Sequence, residues 1–133
     1  MNKRKMILAA VLCTAGLFSF SFGVFEPIKG TWSNPNGQTI RFGKGNQCEW
    51  IFSMAGRQDT FRIPYHYEKT GKQTGILDLG PFDRGSLKGR TLYGIVEWLP
   101  GRKAFKYDAE PGKTDKVRPT ALNADQLQVY TRQ

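Results

Sequence analysis

Few side chains in this sequence have the chemistry of an acid, a base or a nucleophile. Its 133 residues include one histidine, His66, and two cysteines. His66 has the chemistry of a base or a metal ligand, but a zinc site takes three or four ligands and the chain has no second histidine to join it. Because Arg62 and Glu68 share its polar face, we interpret His66 as a surface residue. A small hydrolase built around His66 is the weakest hypothesis.

Cys48, Asp78 and Asp83 are the other candidates for catalysis. Cys48 shares a face with aromatic residues, and an apolar environment raises the pKa of a thiol and makes it unreactive. Carboxylates that cleave a glycoside lie about 5–10 Å apart across a cleft, and nothing near Asp78 and Asp83 fixes that geometry. No nucleophile elbow, phosphate-binding loop or zinc-protease motif occurs. We therefore expect no enzymatic activity, metal or cofactor.

The N-terminal segment has the pattern of an export signal. Basic residues at 3–5 precede an apolar run over 6–20, which ends in small residues. This pattern is typical of a secretory signal peptide, and cleavage after Ser21 or Gly23 fits it. An uncleaved membrane anchor is the alternative. We predict a signal peptide over 1–23, export to the periplasm or the outside of the cell, and no membrane span in the mature chain.

Residues 24–133 are expected to fold as one domain. Three of the 20 basic residues and none of the 11 acidic ones precede residue 24, so this part carries a net charge of +6. Cys48 is its only cysteine, so no intrachain disulfide forms even in an oxidising compartment. The domain must fold on a hydrophobic core alone, which is feasible because a chain of this size buries about 60–70% of its unfolded surface.

Strand patterns recur at short spacing along this domain. In residues 47–54 and 59–67, apolar and polar residues alternate with a period of two, which is typical of a strand with one buried and one solvent-facing side. Turn sequences such as Asn34-Pro35-Asn36-Gly37 separate the segments. The eight predicted strands are residues 28–32, 38–42, 47–54, 59–67, 74–79, 91–99, 104–108 and 126–131.

The order of these strands predicts their arrangement. Consecutive strands joined by short turns usually pair as an antiparallel meander, and eight of them roll into a closed barrel that leaves no exposed edge. Such a barrel is just wide enough to be filled by its own side chains or to hold one small ligand. We predict an all-β, eight-stranded antiparallel meander barrel, with a two-sheet β-sandwich as the alternative.

Two motifs resemble those of small exported bacterial lipocalin-like domains. Gly30-Thr31-Trp32 opens the first predicted strand as the G-x-W of that family does, and Arg118-Pro119-Thr120 precedes the last strand. In that family the tryptophan closes one barrel end and a basic residue after the last strand packs across its ring. The resemblance implies such a cation–π contact between Trp32 and Arg132, and structural roles for Gly30, Arg118 and Pro119.

The inward aromatic residues form the candidate ligand site. Our leading hypothesis is an exported, non-catalytic protein that binds a small apolar or amphiphilic molecule inside the barrel. The alternative is a filled barrel that binds a cell-envelope protein through loops such as residues 80–89, because the same rings also build the core. The predicted ligand contacts are Trp50, Phe52, Phe61, Tyr65 and Tyr67, with Arg84 and Arg102 near the mouth. The other residues expected to face inward are Trp32, Ile40, Phe42, Met54, Ile63, Leu77 and Leu79.

Basic residues cluster in three predicted loops, near residues 84–90, 102–106 and 113–118. If these loops share one barrel end, they form a patch that attracts anionic glycans, lipid headgroups or a carboxylate. A net charge of +6 is also ordinary for a soluble domain of this size. Nucleic acid is not expected as the partner of an exported protein.

Overall fold

Residues 27–109 and 118–133 are described by a computed structural model and form eight β-strands and one 3₁₀ turn, Pro100–Arg102. The predicted signal peptide, its two cleavage junctions and most of the third basic cluster lie outside the described residues. The strands are β1 Gly30–Ser33, β2 Gln38–Phe42, β3 Gln47–Met54, β4 Arg57–Lys69, β5 Thr74–Leu79, β6 Leu92–Trp98, β7 Ala104–Ala109 and β8 Gln128–Arg132.

The strands form a closed antiparallel barrel in chain order. Each strand pairs with the next, and β8 pairs back with β1 through Trp32 opposite Arg132 and Ser33 opposite Thr131. The prediction of an eight-stranded meander barrel is confirmed, and the β-sandwich alternative is wrong. The topology is consistent with that of lipocalin-like barrels. No helix among the described residues is long and apolar enough to cross a membrane.

Three predicted strands, residues 38–42, 47–54 and 74–79, match the structure at both ends, and the ends of the other five differ by at most two residues. β4 begins at Arg57 instead of residue 59, because Ala55 and Gly56 adopt positive φ angles of 49° and 78° and make a two-residue turn. Pairing therefore continues to Met54 opposite Arg57. β8 begins at Gln128 instead of residue 126, because the preceding backbone N–H groups bond back to the carbonyl of Asn123.

The connections divide between the two ends of the barrel. Because successive strands run in opposite directions, the turns after β1, β3, β5 and β7 lie at one end and those after β2, β4 and β6 lie at the other. We call the first the cavity end, for the cavity described below. We call the second the Trp32 end, because residues 27–29 and the last residue of β8 lie there with Trp32 beneath them.

The Trp32 end is sealed by aromatic packing. Trp32 is fully buried, with ring centroids 4.9 Å from Phe105 and 5.5 Å from Trp98. The Arg132 guanidinium lies over the Trp32 ring, 4.2 Å from its centroid, and donates to the carbonyls of Lys29 and Pro27. The structure thus contains the contact that the family resemblance implies between Trp32 and Arg132.

The barrel interior is filled over most of its length by buried side chains from all eight strands. Of the residues expected to face inward, Met54 is an exception, with 72% of its surface exposed. The alternation places Met54 in the inward phase, but the β3–β4 hairpin carries it beyond the rim. The prediction that Met54 is inside the core is therefore wrong.

The segment that precedes β8 lies against the outside of the barrel, and we call its residues 118–123 the strap. Arg118 donates to both carboxylate oxygens of Asp78, at 2.5 and 3.1 Å, and to the carbonyl of Gly94. The backbone N–H of Asn123 donates to Asp108, which is buried although it faces outward from β7. The strap therefore joins β5, β6 and β7 from outside.

Candidate functional site

A cavity of about 200 Å³ lies at the cavity end, where the filled interior stops. Its apolar lining comes from the later half of β3, the β5–β6 connection and the ends of β6 and β7. Its polar lining comes from three glutamines, one at the start of β2, one at the start of β8 and one two residues before β8. The apolar lining residues are Trp50, Phe52, Leu87, Leu92, Tyr107 and Ala109, and the polar ones are Gln38, Gln126 and Gln128.

Because Gly94 has no side chain, the Tyr107 ring packs directly against the backbone of β6, which leaves part of this space open. A Cβ atom at Gly94 would be 2.3 Å from Cε1 of Tyr107. The Tyr107 hydroxyl donates across to the carbonyl of Leu77, at 3.3 Å. The ring thus lies along the barrel wall and forms one side of the cavity.

The β1–β2 turn holds the polar side of the cavity in place. Asn34 Oδ1 accepts from the backbone N–H groups of Asn36 and Gln38, at 3.0 and 3.1 Å. Its Nδ2 donates to Gln38 Oε1 at 3.0 Å and to Gln128 Oε1 at 3.1 Å. The same two oxygens lie 3.0 and 2.8 Å from the Tyr130 hydroxyl, whose single proton can be donated to either of them. The network fixes two of the cavity-lining amides on neighbouring parts of the rim.

The β5–β6 connection, residues 80–91, covers an aromatic cluster beside the cavity. Phe82 of this connection is buried, with ring centroids 5.9 Å from Trp50 and 5.7 Å from Phe61. Phe52 completes the cluster, 4.8 Å from Trp50 and 5.6 Å from Phe61. The connection is thus anchored in the protein by its own phenylalanine.

Arg84 fastens the same connection to β4. Its guanidinium donates to the Asp59 carboxylate and to the carbonyl of Thr60, and lies 4.3 Å from the centroid of the Phe61 ring. The hydrogen bond from Arg84 is the main reason that the pKa of Asp59 lies below its usual value. Arg84 therefore acts as an anchor for the connection and is already paired.

The structure brings together three of the five predicted aromatic ligand contacts. Trp50 and Phe52 line the cavity, and Phe61 packs against Phe52 in the adjoining cluster. Tyr65 and Tyr67 lie towards the Trp32 end. Tyr65 is buried against Phe42, and the Tyr67 hydroxyl accepts from the indole N–H of Trp98. These two tyrosines belong to the core and not to the cavity wall.

The predicted basic patch is divided between the two ends. Arg84 and Lys88 belong to the β5–β6 connection at the cavity end, whereas Arg102 and Lys103 belong to the β6–β7 connection at the Trp32 end. The three loops therefore do not all share one end, because the β6–β7 connection lies opposite the β5–β6 connection in a meander. Arg102 is exposed at the Trp32 end, which is the end of the barrel opposite the cavity.

The candidate catalytic residues do not converge. His66 is exposed on β4 and lies 3.5 Å from Glu68, Asp78 is paired with Arg118, and Asp83 is exposed on the β5–β6 connection. Cys48 is buried, and burial, assisted by the charge of Glu49, raises the pKa of its thiol to about 12. Within residues 27–109 and 118–133, no three His, Cys, Asp or Glu side chains are grouped closely enough to hold a metal ion.

Sequence reasoning missed Gln38 and Gln128, although a signal for both was present. Each begins a strand that starts at the cavity end, and each is in phase with buried residues, Ile40 for the first and Tyr130 for the second. A polar residue in the inward phase at a strand's first position marks the rim of a barrel. The amides therefore could have been identified from alternation alone.

Larger hollows lie on the outside of the described part of the barrel. One of about 600 Å³ is formed within the β3–β4 hairpin, one of about 510 Å³ lies between the strap and β5–β6, and one of about 310 Å³ surrounds Arg41, Glu49 and Arg62. Most of the residues that line these hollows are exposed or half-exposed. We place the candidate site in the smaller cavity, because only there do aromatic rings and oriented amides converge.

No protein-family model, curated protein or solved structure matches this chain. The function therefore has to be inferred from the geometry of the barrel and its cavity.

Proposed function

We propose that this protein is an exported, non-catalytic binding protein that holds one small apolar or amphiphilic molecule in the cavity at the cavity end of its barrel. The observation that carries the proposal is the cavity of about 200 Å³, walled by the rings of Trp50, Phe52 and Tyr107 at the point where the filled core ends. The G-x-W and R-P-T motifs, which resemble those of exported lipocalin-like domains, support the same assignment.

The cavity volume limits the size of the ligand. Pockets for drug-sized molecules have volumes of about 300–1,000 Å³, whereas an apolar cavity of about 150 Å³ holds benzene. A volume of about 200 Å³ therefore suits one ring with a small substituent or a short aliphatic chain. Haem and long-chain fatty acids are too large for it.

Thermal unfolding of residues 24–133 with a panel of such compounds tests the binding function. A ligand at a hundredfold excess over its Kd should stabilise the fold by about 2.7 kcal/mol and raise Tm accordingly. The substitution Ala109→Phe fills the cavity and should abolish the shift, whereas Ala121→Phe on the strap should leave it unchanged. A panel without any shift, or a shift that survives Ala109→Phe, would overturn the proposal.

Export is tested separately by expressing the full chain. We expect protein recovered from the periplasm or the medium to have lost its first 21 or 23 residues, as measured by its intact mass. Retention of the whole chain in the membrane fraction would favour the uncleaved anchor.

Binding to a cell-envelope protein is a second candidate function, and the β3–β4 hairpin favours it. Met54 is 72% exposed near the hairpin tip, beside the hollow of about 600 Å³. A photo-crosslinking residue at position 54 should then capture one defined protein in cells, and the same residue at Lys72, at the Trp32 end, should not. Equal or absent capture at both positions would reject this function.

A further inference from the structure

The β1–β2 turn determines which way the amides of the cavity rim face. The two backbone N–H groups that approach Asn34 Oδ1 are donors only, so the oxygen of Asn34 must face them. Its Nδ2 then faces Gln38 and Gln128 and must meet their oxygens. Turning either glutamine over would place one NH₂ group against another. The orientation of both glutamines therefore follows from backbone chemistry.

The consequence is that the donors of both glutamines are unused. Each Oε1 already accepts one hydrogen of the Asn34 NH₂ group, and the single proton of the Tyr130 hydroxyl lies within reach of both oxygens. The Nε2 groups of Gln38 and Gln128 have no acceptor among the described residues, and both residues line the cavity. Gln38 and Gln128 therefore present their NH₂ groups to the cavity while their oxygens are occupied, whereas the Gln126 amide makes no side-chain hydrogen bond among the described residues.

Trp50 adds an independent observation on the same cavity. Its ring lines the cavity, and its indole N–H is buried without an acceptor in the described part of the chain. The other two indoles are satisfied, since Trp32 donates to the carbonyl of Ile28 at 2.8 Å and Trp98 donates to the Tyr67 hydroxyl at 3.0 Å. A buried donor without a partner is costly, as it also is for the Tyr65 hydroxyl in the core, and in Trp50 a ligand acceptor that reached the N–H from the adjoining cavity would remove that cost.

The uncharged lining of the cavity suits the same kind of ligand. None of the residues that line it is acidic or basic. Arg84 and Lys88 lie on the connection above it, and the single acid of that connection is Asp83. Arg84 is paired with Asp59, and Asp125 lies beside Gln126 at the same end. The selectivity therefore rests on the uncharged lining and its amide donors, which suit a carboxylate or a carbonyl oxygen better than an ammonium group.

We propose, resting on the binding function above, that the cavity selects a compact molecule whose polar head only accepts hydrogen bonds, a carboxylate or a carbonyl, on a body about the size of one aromatic ring. Gln38 and Gln128 set this specificity through their Nε2 groups, and Trp50 supplies a third donor. The rings of Trp50, Phe52 and Tyr107 hold the body.

Four probes of nearly equal shape test the head-group selectivity: benzoate, acetophenone, ethylbenzene and 1-phenylethylammonium. We expect benzoate and acetophenone to bind about tenfold more tightly than ethylbenzene, because each gains hydrogen bonds that the hydrocarbon cannot make. The ammonium compound should bind most weakly. In NMR spectra of the titrations, the indole N–H resonance of Trp50 should move most, with Trp32 and Trp98 as internal references.

Gln38→Glu is the matched variant, because a carboxylate keeps both acceptor bonds and lacks the NH₂ group. This variant should bind acetophenone and benzoate about tenfold more weakly and should bind ethylbenzene with unchanged affinity. Acetophenone is neutral, so its loss of affinity separates the missing donor from charge repulsion. Gln73→Glu, in the exposed β4–β5 turn at the Trp32 end, makes the same charge change and should have no effect. Gln128→Glu repeats the test if Gln38→Glu does not fold.

The outcomes separate this inference from the binding function beneath it. Equal affinity for all four probes, or unchanged affinity for acetophenone in both variants, would overturn the head-group assignment and leave a hydrophobic binding protein. Binding of none of the four probes would overturn both.

Discussion

At the scale of single residues, Cys48 and Asp78 have structural positions, and the residues that face the cavity are unreactive. Cys48 is buried in the barrel and Asp78 is neutralised by Arg118, whereas glutamine and tryptophan line the cavity. Such a distribution is suited to recognition, since amides and rings bind without reacting.

We predict that the Cys48 thiol is inert in the folded protein. Burial and the neighbouring charge of Glu49 raise its pKa to about 12, so almost no thiolate is present at neutral pH. In protein that begins at residue 24, a thiol reagent such as DTNB should modify Cys48 only after a denaturant is added. Equal rates of modification with and without denaturant would contradict its burial.

Arg132→Ala should lower the free energy of unfolding by about 1–3 kcal/mol. The variant loses a cation–π contact with Trp32 and two hydrogen bonds to the segment before β1. Lys103→Ala, an exposed change at the same end, should cost less than about 0.5 kcal/mol. Urea unfolding measures both, and similar values for the two variants would show that Arg132 does not seal this end.

At the scale of elements, the barrel depends on a few positions where one strand makes room for a side chain of the next. Gly94 on β6 and Tyr107 on β7 are the tightest of these, since the ring occupies the space that a Cβ atom would need. This close packing holds the Tyr107 ring against the barrel wall at β6, so the ring does not fill the cavity.

Gly94→Ala should therefore destabilise the protein by about 1–3 kcal/mol or more, through overpacking against the Tyr107 ring. In a Tyr107→Leu background the same substitution should cost much less, so a double-mutant cycle should show strong coupling. Gly43→Ala is the matched control, because nothing lies within 4 Å of the added Cβ there. Additive effects of the two substitutions would mean that the ring does not lie over Gly94.

Most elements were predictable because strand alternation is a local property. Residues 38–42, 47–54 and 74–79 match the observed strands, since each has an apolar face and a turn at both ends. The locations of side chains along the barrel axis were harder to predict. Tyr65 faces inward like Phe61, but it lies four residues further along β4 and is therefore near the end of the barrel opposite the cavity. The separation of Arg84 from Arg102 was predictable, because they lie on consecutive connections of a meander and such connections alternate between the two ends of the barrel.

At the scale of the whole molecule, the interior is a low-dielectric space that holds tyrosines in their neutral form. Burial raises the pKa of Tyr107 well above its usual value and also raises that of Tyr130. The Tyr107 ring forms part of the cavity wall, and the Tyr130 hydroxyl belongs to the network behind it.

The free energy of unfolding should consequently fall as the pH rises above about 10, where tyrosines of the unfolded chain lose their protons. The folded state retains these protons, so it binds more of them than the unfolded state, and stability declines with increasing pH. Urea unfolding at a series of alkaline pH values measures this slope. Tyr107→Phe should flatten it, and an unchanged slope in that variant would argue against the burial of this hydroxyl.

The seam between β1 and β8 has a consequence for how the molecule is made. The contact between Ser33 and Gln133 joins residues 100 positions apart, and two residue pairs close the ring there. During synthesis, β1 therefore emerges long before its second neighbour, and its outer hydrogen-bonding groups remain unpaired until β8 arrives. Without β8 the chain can form at most an open sheet with an unpaired edge, so a chaperone that binds β1 before the last strand is available should raise the yield of folded barrel.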